Sequence, residues 1–271
     1  MALVLRDVAL LHTGPAISLR VESGQTLCIV GPSGSGKTRL VRFLAGQETP
    51  DRGEIQRPQQ VAMPEPCNRK LRPQDLSHRR GENRAVLATE VLSQLGLWDA
   101  RQRPIGELPA GLVAACELVE PLMSQAELLI FDESLDRLDP WSRAGALRLI
   151  RDRCNDGAVC IVATNLADMA SQFDYLIALK DSQPVYAGPV PELVATRGQR
   201  SLTIESEYNT GVRALVQPLL VGVSRTERGY HLQPGPGQEQ TAKLLREGYG
   251  DVKFMVTDQK SVEEIVLELI L

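Results

Sequence analysis

The sequence predicts an α/β fold built on a parallel sheet, followed by a small C-terminal α+β module. Continuously apolar runs at 26–31 (TLCIVG) and 127–132 (ELLIFD) are typical of strands that helices cover on both faces. Such runs alternate with segments of helical periodicity up to about residue 195. A chain of 271 residues, of which 43% are apolar and 24% charged, is large enough to bury the core of such a fold.

The main part of the chain contains five predicted strands and three predicted helices. The strands are 16–22, 26–31, 127–132, 158–163 and 175–180, and the helices are 37–45, 112–124 and 140–153. The first helix carries apolar residues at 40, 41, 43 and 44 and stops at Gly46, a residue that commonly ends helices. A glycine-rich loop therefore connects the strand at 26–31 to this helix.

A change of composition at residues 197–199 predicts a domain boundary, with a main domain at 1–197 and an accessory module at 198–271. The predicted strands of the module are 201–208, 229–233 and 251–258, and its predicted helices are 210–220, 238–248 and 261–271. This order of elements favours a ferredoxin-like arrangement. Ser261 and Glu264 have the spacing of a capping box at the start of the last helix.

Charge and composition argue against several classes of protein. The net charge of −4 gives no general attraction to nucleic acid. The chain has no run of 18 apolar residues and carries an acid at position 7, so we expect neither a membrane span nor a signal peptide. We therefore expect a cytoplasmic location. Its five cysteines show no CxxC spacing, which favours buried, reduced thiols over disulfides or a metal site.

Residues 31–38 (GPSGSGKT) match the phosphate-binding pattern GxxxxGK[ST] between a strand and a helix. The glycines let the backbone turn so that successive N–H groups point at the phosphates of ATP at a helix N-terminus. Lys37 is expected to neutralise the β- and γ-phosphates, and the hydroxyl of Thr38 to bind Mg²⁺. The predicted nucleotide-binding residues of this segment are Gly31, Ser33, Gly34, Ser35, Gly36, Lys37, Thr38 and Arg39.

Asp132 and Glu133 stand at the carboxyl end of the apolar strand, the edge where α/β proteins place ligands. Asp132 is expected to hold Mg²⁺, and Glu133 to orient or deprotonate an attacking water. A pair of acids in this position is otherwise an ordinary helix cap. The P-loop about 95 residues upstream favours the catalytic interpretation.

Three segments resemble the nucleotide-binding subunit of ABC transporters: the P-loop, LAGQETPDRGEI at 44–55 and AELLIFDESLDRLDP at 126–140. Members of that family typically read LAGLxxPxxGxI and LLLLDEPTxGLDP at the second and third places. The resemblance covers about residues 2–195. It implies a P-loop NTPase fold with a mixed core sheet and a helical subdomain at about 66–124.

The resemblance also assigns two residues outside the P-loop. His12 falls where the family has an aromatic residue that stacks on adenine; a surface histidine in a loop is the alternative. Glu65 falls where most members have a glutamine. A carboxylate there can bind Mg²⁺ directly or through water, and a solvated loop acid is the alternative.

The strongest departure from the family lies in its signature LSGGQ, because the aligned residues 108–112 read LPAGL. In the family's head-to-tail dimer this motif caps the ATP of the partner subunit through its Ser and Gln side chains and glycine N–H groups. Pro109 has neither a hydroxyl nor an N–H, and Leu112 has no polar group. Losing two donors to a charged oxygen weakens closure by roughly 3 kcal/mol.

A second departure concerns the family's switch histidine, whose place Asn165 takes. Asparagine can hydrogen-bond a γ-phosphate but carries no proton or positive charge to transfer, so we expect weaker stabilisation of the transition state. The D-loop keeps its final Asp139 but has Asp136 and Arg137 where small residues are common. Hydrolysis at this chain's own site is therefore expected to be handicapped at Asn165.

Two further segments bear on partners. Residues 69–84 carry six cations against two acids and, by the resemblance, belong to the subdomain that docks a permease near the membrane. This segment either meets anionic lipid headgroups or is a solvated helical face. The ending SVEEIVLELIL at 261–271 resembles the SLEDVFLxLT of ATPases paired with six-helix export permeases, with an ordinary capping helix as the alternative.

The resemblance implies an ATP-binding subunit of an ABC transporter of exporter type, peripheral on the cytoplasmic face of the cell membrane. It would bind Mg-ATP and couple nucleotide-driven dimerisation to a transmembrane permease, with weakened hydrolysis. A second copy or another ABC ATPase subunit is the expected dimer partner, and nucleic acid is not an expected partner. The alternative is a catalytically poor regulatory or scaffold subunit of a membrane complex. A P-loop metabolic kinase is less favoured, because the sequence supplies neither a phosphoryl-acceptor site nor a lid.

Overall fold

The computed structural model describes residues 2–78, 85–198, 202–206, 220–226, 229–234, 252–256 and 260–271. The chain divides into two compact units. The first is Met1–Val190 together with Val266–Leu271, and the second is Pro191–Ile265. Within the described residues, no helix is long and apolar enough to cross a membrane.

The first unit contains two sheets. Their strands are β1 (Leu3–Ala9), β2 (Ala16–Val21), β3 (Thr26–Val30), β4 (Arg52–Gln56), β5 (Val61–Ala62), β6 (Leu128–Asp132), β7 (Val159–Thr164), β8 (Tyr175–Lys180) and β9 (Gln183–Pro189). The six-stranded sheet has the order β5-β6-β7-β3-β8-β9, and only β9 runs antiparallel to its neighbour. The three-stranded sheet is antiparallel, with β1 between β2 and β4. The predicted mixed core sheet is therefore confirmed.

Helices lie between several of these strands along the chain. The α-helices are α1 (Lys37–Ala45), α2 (Pro73–His78), α3 (Ala85–Gln94), α4 (Ala110–Met123), α5 (Pro140–Asn155), α6 (Val190–Arg197) and α7 (Val262–Ile270), and 3₁₀ turns lie at Ile105–Glu107 and Ala167–Gln172. Helices α2, α3 and α4 occupy the long connection between β5 and β6. Of the basic segment 69–84, residues 79–84 lie outside the described part, and Arg69, Lys70 and Arg72 are exposed.

The core of the first unit forms where alternate residues of the central strands meet α1 and the three-stranded sheet. Its members on the central strands are Leu27, Ile29, Leu128, Ile130, Val159, Ile161, Ala163, Ile177 and Leu179. Every residue of β3 and of β7 is buried, which explains the unbroken apolar runs in the sequence. Each large aliphatic side chain contributes about 1.5–3 kcal/mol when it is buried in this way.

The elements predicted in the main part are all present, and their ends differ by at most two residues. The structure adds the strands β1, β4, β5 and β9 and the helices α2, α3 and α6, none of which was predicted. Four of the five cysteines are buried, as predicted, but Cys67 is partly exposed. Burial raises the pKa of Cys116 to about 12, so this thiol stays protonated at neutral pH.

The second unit contains an antiparallel sheet of the order β11-β12-β10-β13. Its strands are β10 (Leu202–Ser206), β11 (Leu220–Thr226), β12 (Gly229–Pro234) and β13 (Val252–Val256). Strands were predicted at three of these places, and β11 was missed. The predicted helix at 238–248 lies outside the described residues, as does the one at 210–220 except for Leu220, which is the first residue of β11.

The capping box predicted at the start of α7 is confirmed by two reciprocal hydrogen bonds. The Ser261 N–H donates to Oε2 of Glu264 at 2.8 Å, and the Glu264 N–H donates to Oγ of Ser261 at 3.2 Å. At the other end of this helix, Nζ of Lys180 donates to the carbonyl oxygen of Leu271 at 2.9 Å.

Candidate nucleotide-binding site

The P-loop connects β3 to α1 and adopts a backbone that only glycine accepts easily. Gly36 has a φ of 95° at the N-cap of α1, in the left-handed region that strains other residues. Gly31 lies so close to the chain that a Cβ there would collide with the carbonyl oxygen of Leu179 and the hydroxyl of Ser35. From the turn between β8 and β9, the Ser182 N–H donates to the Ser35 carbonyl at 3.2 Å and supports the loop.

Lys37 is buried within this loop, with 3% of its surface exposed. Its Nζ lies 2.8 Å from the Gly31 carbonyl oxygen, 3.0 Å from that of Pro32 and 2.7 Å from Oδ1 of Asn165. Oε1 of Glu133 lies 3.2 Å from the same nitrogen. An ammonium group has three protons, so the acceptors of the chain itself already satisfy it. An anion that binds here would have to replace some of them.

Asp132, the last residue of β6, has one carboxylate oxygen without a protein partner. Its Oδ1 is buried and accepts no hydrogen bond. Burial raises the pKa of Asp132, while a hydrogen bond with the Thr38 side chain acts in the opposite direction. A carboxylate oxygen without a partner beside a hydroxyl is a donor set that suits a hard cation such as Mg²⁺. In the P-loop, Oγ of Ser35 is also buried and has no hydrogen-bond partner.

Glu133 follows Asp132 in a constrained backbone conformation. Its φ is 50°, and its N–H donates to the Ala163 carbonyl at 2.8 Å, which links the ends of β6 and β7. About two fifths (42%) of its side-chain surface is exposed, so its carboxylate meets both Lys37 and solvent. A carboxylate placed in this way can accept a proton from a water molecule.

Asn165 follows β7 and bridges the P-loop lysine to the D-loop. Its Oδ1 accepts from Lys37, while its Nδ2 donates to Oδ2 of Asp136 at 3.2 Å. The backbone N–H of Asn165 donates to the same oxygen at 2.9 Å. The other oxygen of Asp136 accepts from Oγ1 of Thr164 at 2.6 Å. The sequence marked Asp136 as a departure from the family but gave no signal that it contacts Asn165.

The other predicted residues do not share these contacts. The Arg39 guanidinium lies 3.4 Å from Asp51 and 5.4 Å from the centre of the Phe43 ring. Ser33 and His12 are exposed, the latter in the turn after β1. Glu65 is exposed and lines a separate cavity of about 230 Å³, whose lining residues do not include Lys37, Thr38 or Asp132.

The segment aligned with the family signature begins α4. Pro109 is the N-cap residue of this helix, and no side chain caps it. Arg137 of the D-loop lies 2.6 Å from Glu117 on the same helix. Arg137, which departs from the family pattern, therefore forms an ion pair between the D-loop and α4.

Comparison with known proteins identifies the family. A family model described as ABC transporter matches residues 15–136. The chain is 35% identical over 177 residues to the ABC transporter ATP-binding protein RamB of Streptomyces coelicolor; the match covers 56% of this chain but only 29% of RamB. It is 30% identical over 199 residues to the aliphatic sulfonates import ATP-binding protein SsuB of Albidiferax ferrireducens, covering 67% of this chain and 72% of SsuB. The chain belongs to the ABC transporter ATP-binding family.

A further relative of this ABC protein matches along nearly its whole length. The daunorubicin resistance ATP-binding protein DrrA3 of Streptomyces coeruleorubidus is 28% identical in an alignment that covers 93% of this chain and 89% of DrrA3. A solved structure of an ATP-binding subunit of an ABC transporter has the same fold, with a TM-score of 0.61 at 17% identity. The alignment of the two structures covers 73% of this chain and 94% of the solved chain. The P-loop NTPase fold of the ABC ATPases is thereby confirmed.

Proposed function

We propose that this ABC subunit binds Mg-ATP at the P-loop, acts with the permease of an exporter and hydrolyses ATP slowly. The observation that carries the proposal is the cluster around Lys37, in which Asp132, Glu133 and Asn165 come from the ends of neighbouring strands. It joins a phosphate-binding lysine, a carboxylate suited to Mg²⁺ and a candidate base, with a neutral amide in place of the family's histidine.

The residues of the cluster have separate roles in this proposal. Lys37 exchanges its internal acceptors for phosphate oxygens, and the N–H groups of the loop bind the phosphates. Asp132 and Thr38 hold Mg²⁺, which supplies positive charge to the phosphate oxygens when it is bound. The unpaired Oδ1 of Asp132 supports this assignment. Glu133 orients or deprotonates the attacking water.

Slow hydrolysis follows from the chemistry of two positions. Asn165 cannot carry a positive charge toward the transferring phosphoryl group, so it stabilises the transition state less than an imidazolium would. Pro109, at the N-cap of α4, and the apolar Leu112 offer no side-chain donor to a nucleotide held by a partner subunit. A homodimer would carry both defects at both sites, which favours either slow turnover or pairing with a better-equipped ABC subunit.

The exporter assignment rests on resemblance. DrrA3, whose name describes drug resistance, matches over most of both chains, and the ending at 261–271 resembles that of export ATPases. The name of SsuB describes an import protein, so the family alone leaves the direction open. In the proposal, the ATP-binding domain at 1–197 pairs with a second ABC subunit. The module at 198–271 is accessory, and the subunit lies on the cytoplasmic face of the membrane.

Three peripheral residues complete the proposed site. His12 is exposed and available to stack on an adenine base, and Arg39 contributes its backbone N–H near the phosphates. Glu65 is exposed in the loop after β5 and would reach Mg²⁺ through water. Glu65→Gln and His12→Ala test these roles separately, through the Mg²⁺ dependence and the base selectivity of nucleotide binding.

The deciding experiment is co-purification followed by an ATPase assay. The chain, produced with an affinity tag in its native cell, should carry with it a multi-span permease. The purified complex should release phosphate from ATP slowly, and Glu133→Gln should reduce that rate at least tenfold. Glu127→Gln, which removes an acid at the far end of β6, is the matched control and should leave the rate unchanged. A chain that remains alone in a membrane extract containing its permease would contradict the proposal.

A regulatory or scaffold subunit is the second candidate, favoured by the combined loss at Asn165 and Pro109. In that case the complex would bind ATP, but Glu133→Gln would not change the rate of phosphate release. The same assay therefore separates the two candidates, because only a hydrolytic subunit responds to this substitution.

A further inference from the structure

The orientation of the Asn165 amide is fixed by its two neighbours. On one side lies the Lys37 ammonium, 2.7 Å from Oδ1, and on the other the Asp136 carboxylate, 3.2 Å from Nδ2. An ammonium only donates hydrogen bonds and a carboxylate only accepts them. The opposite orientation would place donor against donor and acceptor against acceptor. The amide oxygen therefore faces the phosphate-binding lysine.

Asp136 is itself held in place. Its Oδ1 accepts from the hydroxyl of Thr164, a fully buried residue, at 2.6 Å. Its Oδ2 accepts both the backbone N–H and the side-chain N–H of Asn165. A carboxylate with three donors on its two oxygens cannot rotate without breaking charge-assisted hydrogen bonds.

We propose that Asp136 is a positioning residue that acts through Asn165 and weakens the preference of the site for ATP over ADP. The inference rests on the proposed binding of nucleotide at the P-loop. In the orientation that Asp136 imposes, the Asn165 oxygen competes with the terminal phosphate for the Lys37 ammonium. The amide N–H, which would otherwise be available to donate to that phosphate, is directed away from it.

Substitution at position 136 should release this constraint. Asp136→Asn keeps the size of the side chain but removes the negative charge that holds Nδ2 of Asn165, so the amide can reverse. The reversed amide presents Nδ2 to a γ-phosphate, a group that ADP lacks. We expect the ratio of the ADP to the ATP dissociation constant to rise about tenfold, the scale of one added hydrogen bond to a charged oxygen. Asp136→Ala should act in the same direction and serves if Asp136→Asn folds poorly.

Charge alone could also change the ratio of the two dissociation constants. Loss of a carboxylate reduces the repulsion of a triphosphate more than that of a diphosphate. Asp136→Asn is therefore also measured in an Asn165→Ala background, where no amide remains to reverse, only the effect of charge is left, and the ratio should rise much less. Glu117→Gln is the matched control: it removes a carboxylate that contacts the same D-loop through Arg137. This control should leave the ratio unchanged.

The experiment uses the full chain and calorimetric titration with Mg-ATP and Mg-ADP. An unchanged ratio in a folded Asp136→Asn protein would overturn the positioning role while leaving the proposed function intact. A rise of the same size in the Asn165→Ala background would overturn it as well, since charge alone would explain the effect. If the unsubstituted chain binds neither nucleotide, the proposed function fails and this inference fails with it.

Discussion

Lys37 donates a hydrogen bond to Oδ1 of Asn165 at 2.7 Å, although 128 positions separate the two residues. Their strands are neighbours: β3 and β7 run parallel, and Val30 pairs with Thr164 at their carboxyl ends. Parallel pairing therefore places the residue after β7 against the loop after β3. The residue predicted to occupy the switch position is in this way connected to the predicted phosphate-binding lysine without an intervening element.

Lys37→Ala should reduce ATP affinity by at least about 100-fold, because it removes a buried cation that is worth about 3 kcal/mol to an anionic ligand. Equilibrium binding of a fluorescent ATP analogue measures the loss. Lys180→Ala is the matched control, since it removes an equal charge whose ammonium bonds the Leu271 carbonyl instead. Micromolar binding by Lys37→Ala would contradict the P-loop assignment.

Asn165→His should raise the rate of phosphate release by about tenfold, because an imidazolium can stabilise developing charge and the amide cannot. Asp136 can orient the imidazole, because it can accept a hydrogen bond from a ring N–H as it now accepts one from Nδ2 of Asn165. A steady-state phosphate assay on the permease complex measures this change.

Asn165→Ala separates a gain of imidazole from a loss of the amide, because it also frees Lys37 but adds no charge. An equal increase in both variants would mean that competition for Lys37, and not the missing histidine, limits turnover. An unchanged rate in both would place the block at another position.

The positions of the main candidate residues in the fold could be predicted from the sequence because each signal is local. The P-loop spacing, the acids at the end of β6 and the position after β7 each follow from one strand end. The contact between Asp136 and Asn165 could not be predicted, because it joins two loops 29 positions apart and no spacing rule relates them. It exists because β6 and β7 are adjacent in the sheet.

The strands that were predicted and those that were missed differ in burial. Every residue of β3 is buried, so its apolar run was unambiguous, whereas four of the five residues of β4 are exposed and the fifth, Ile55, is half-buried. Strand β4 forms by pairing with β1, a constraint that lies in the partner and not in its own pattern. Helices α1 and α5 were predicted well because they have clear terminal signals, Gly46 and Asp139, whereas α2, α3 and α6 were not predicted.

Pro109→Ser should strengthen ATP-driven dimerisation by about tenfold, because it adds a hydroxyl donor where the family signature contacts the nucleotide of the partner. Pro109 has the extended backbone of an N-cap, with φ −55° and ψ 151°, so serine fits without rearrangement. Sedimentation in the presence of ATP measures the dimer, in a Glu133→Gln background that prevents turnover.

Pro109→Ala is the control for that measurement, since it removes the ring without adding a hydroxyl. If both variants dimerise equally, the effect comes from backbone freedom and not from a new donor. If neither variant changes the sedimentation profile, the handicap does not lie at this position.

Asp174 connects three elements of the first unit and makes a pH-dependent contribution to stability. Its Oδ2 accepts from the N–H of Thr26 at 2.8 Å, from the hydroxyl of Thr26 at 2.7 Å and from Arg151 at 3.2 Å. Partial burial raises the pKa of Asp174, but the hydrogen bonds from Thr26 and the charge of Arg151 outweigh it and lower the pKa below its ordinary value.

Because its pKa is lower in the folded chain than in the unfolded chain, Asp174 stabilises the fold above the ordinary aspartate pKa, about 4, and loses this effect as the pH falls through the lowered value. Asp174→Ala should cost about 1–2 kcal/mol at neutral pH, a range kept small because the side chain is partly exposed. Urea unfolding near pH 7 and near pH 3 measures the difference, which should shrink at the lower pH. Asp152→Ala, at an exposed position on α5, is the control and should show little cost at either pH. A cost for Asp174→Ala that stays equal at both values would mean that packing, and not the charged hydrogen bonds, holds these elements together.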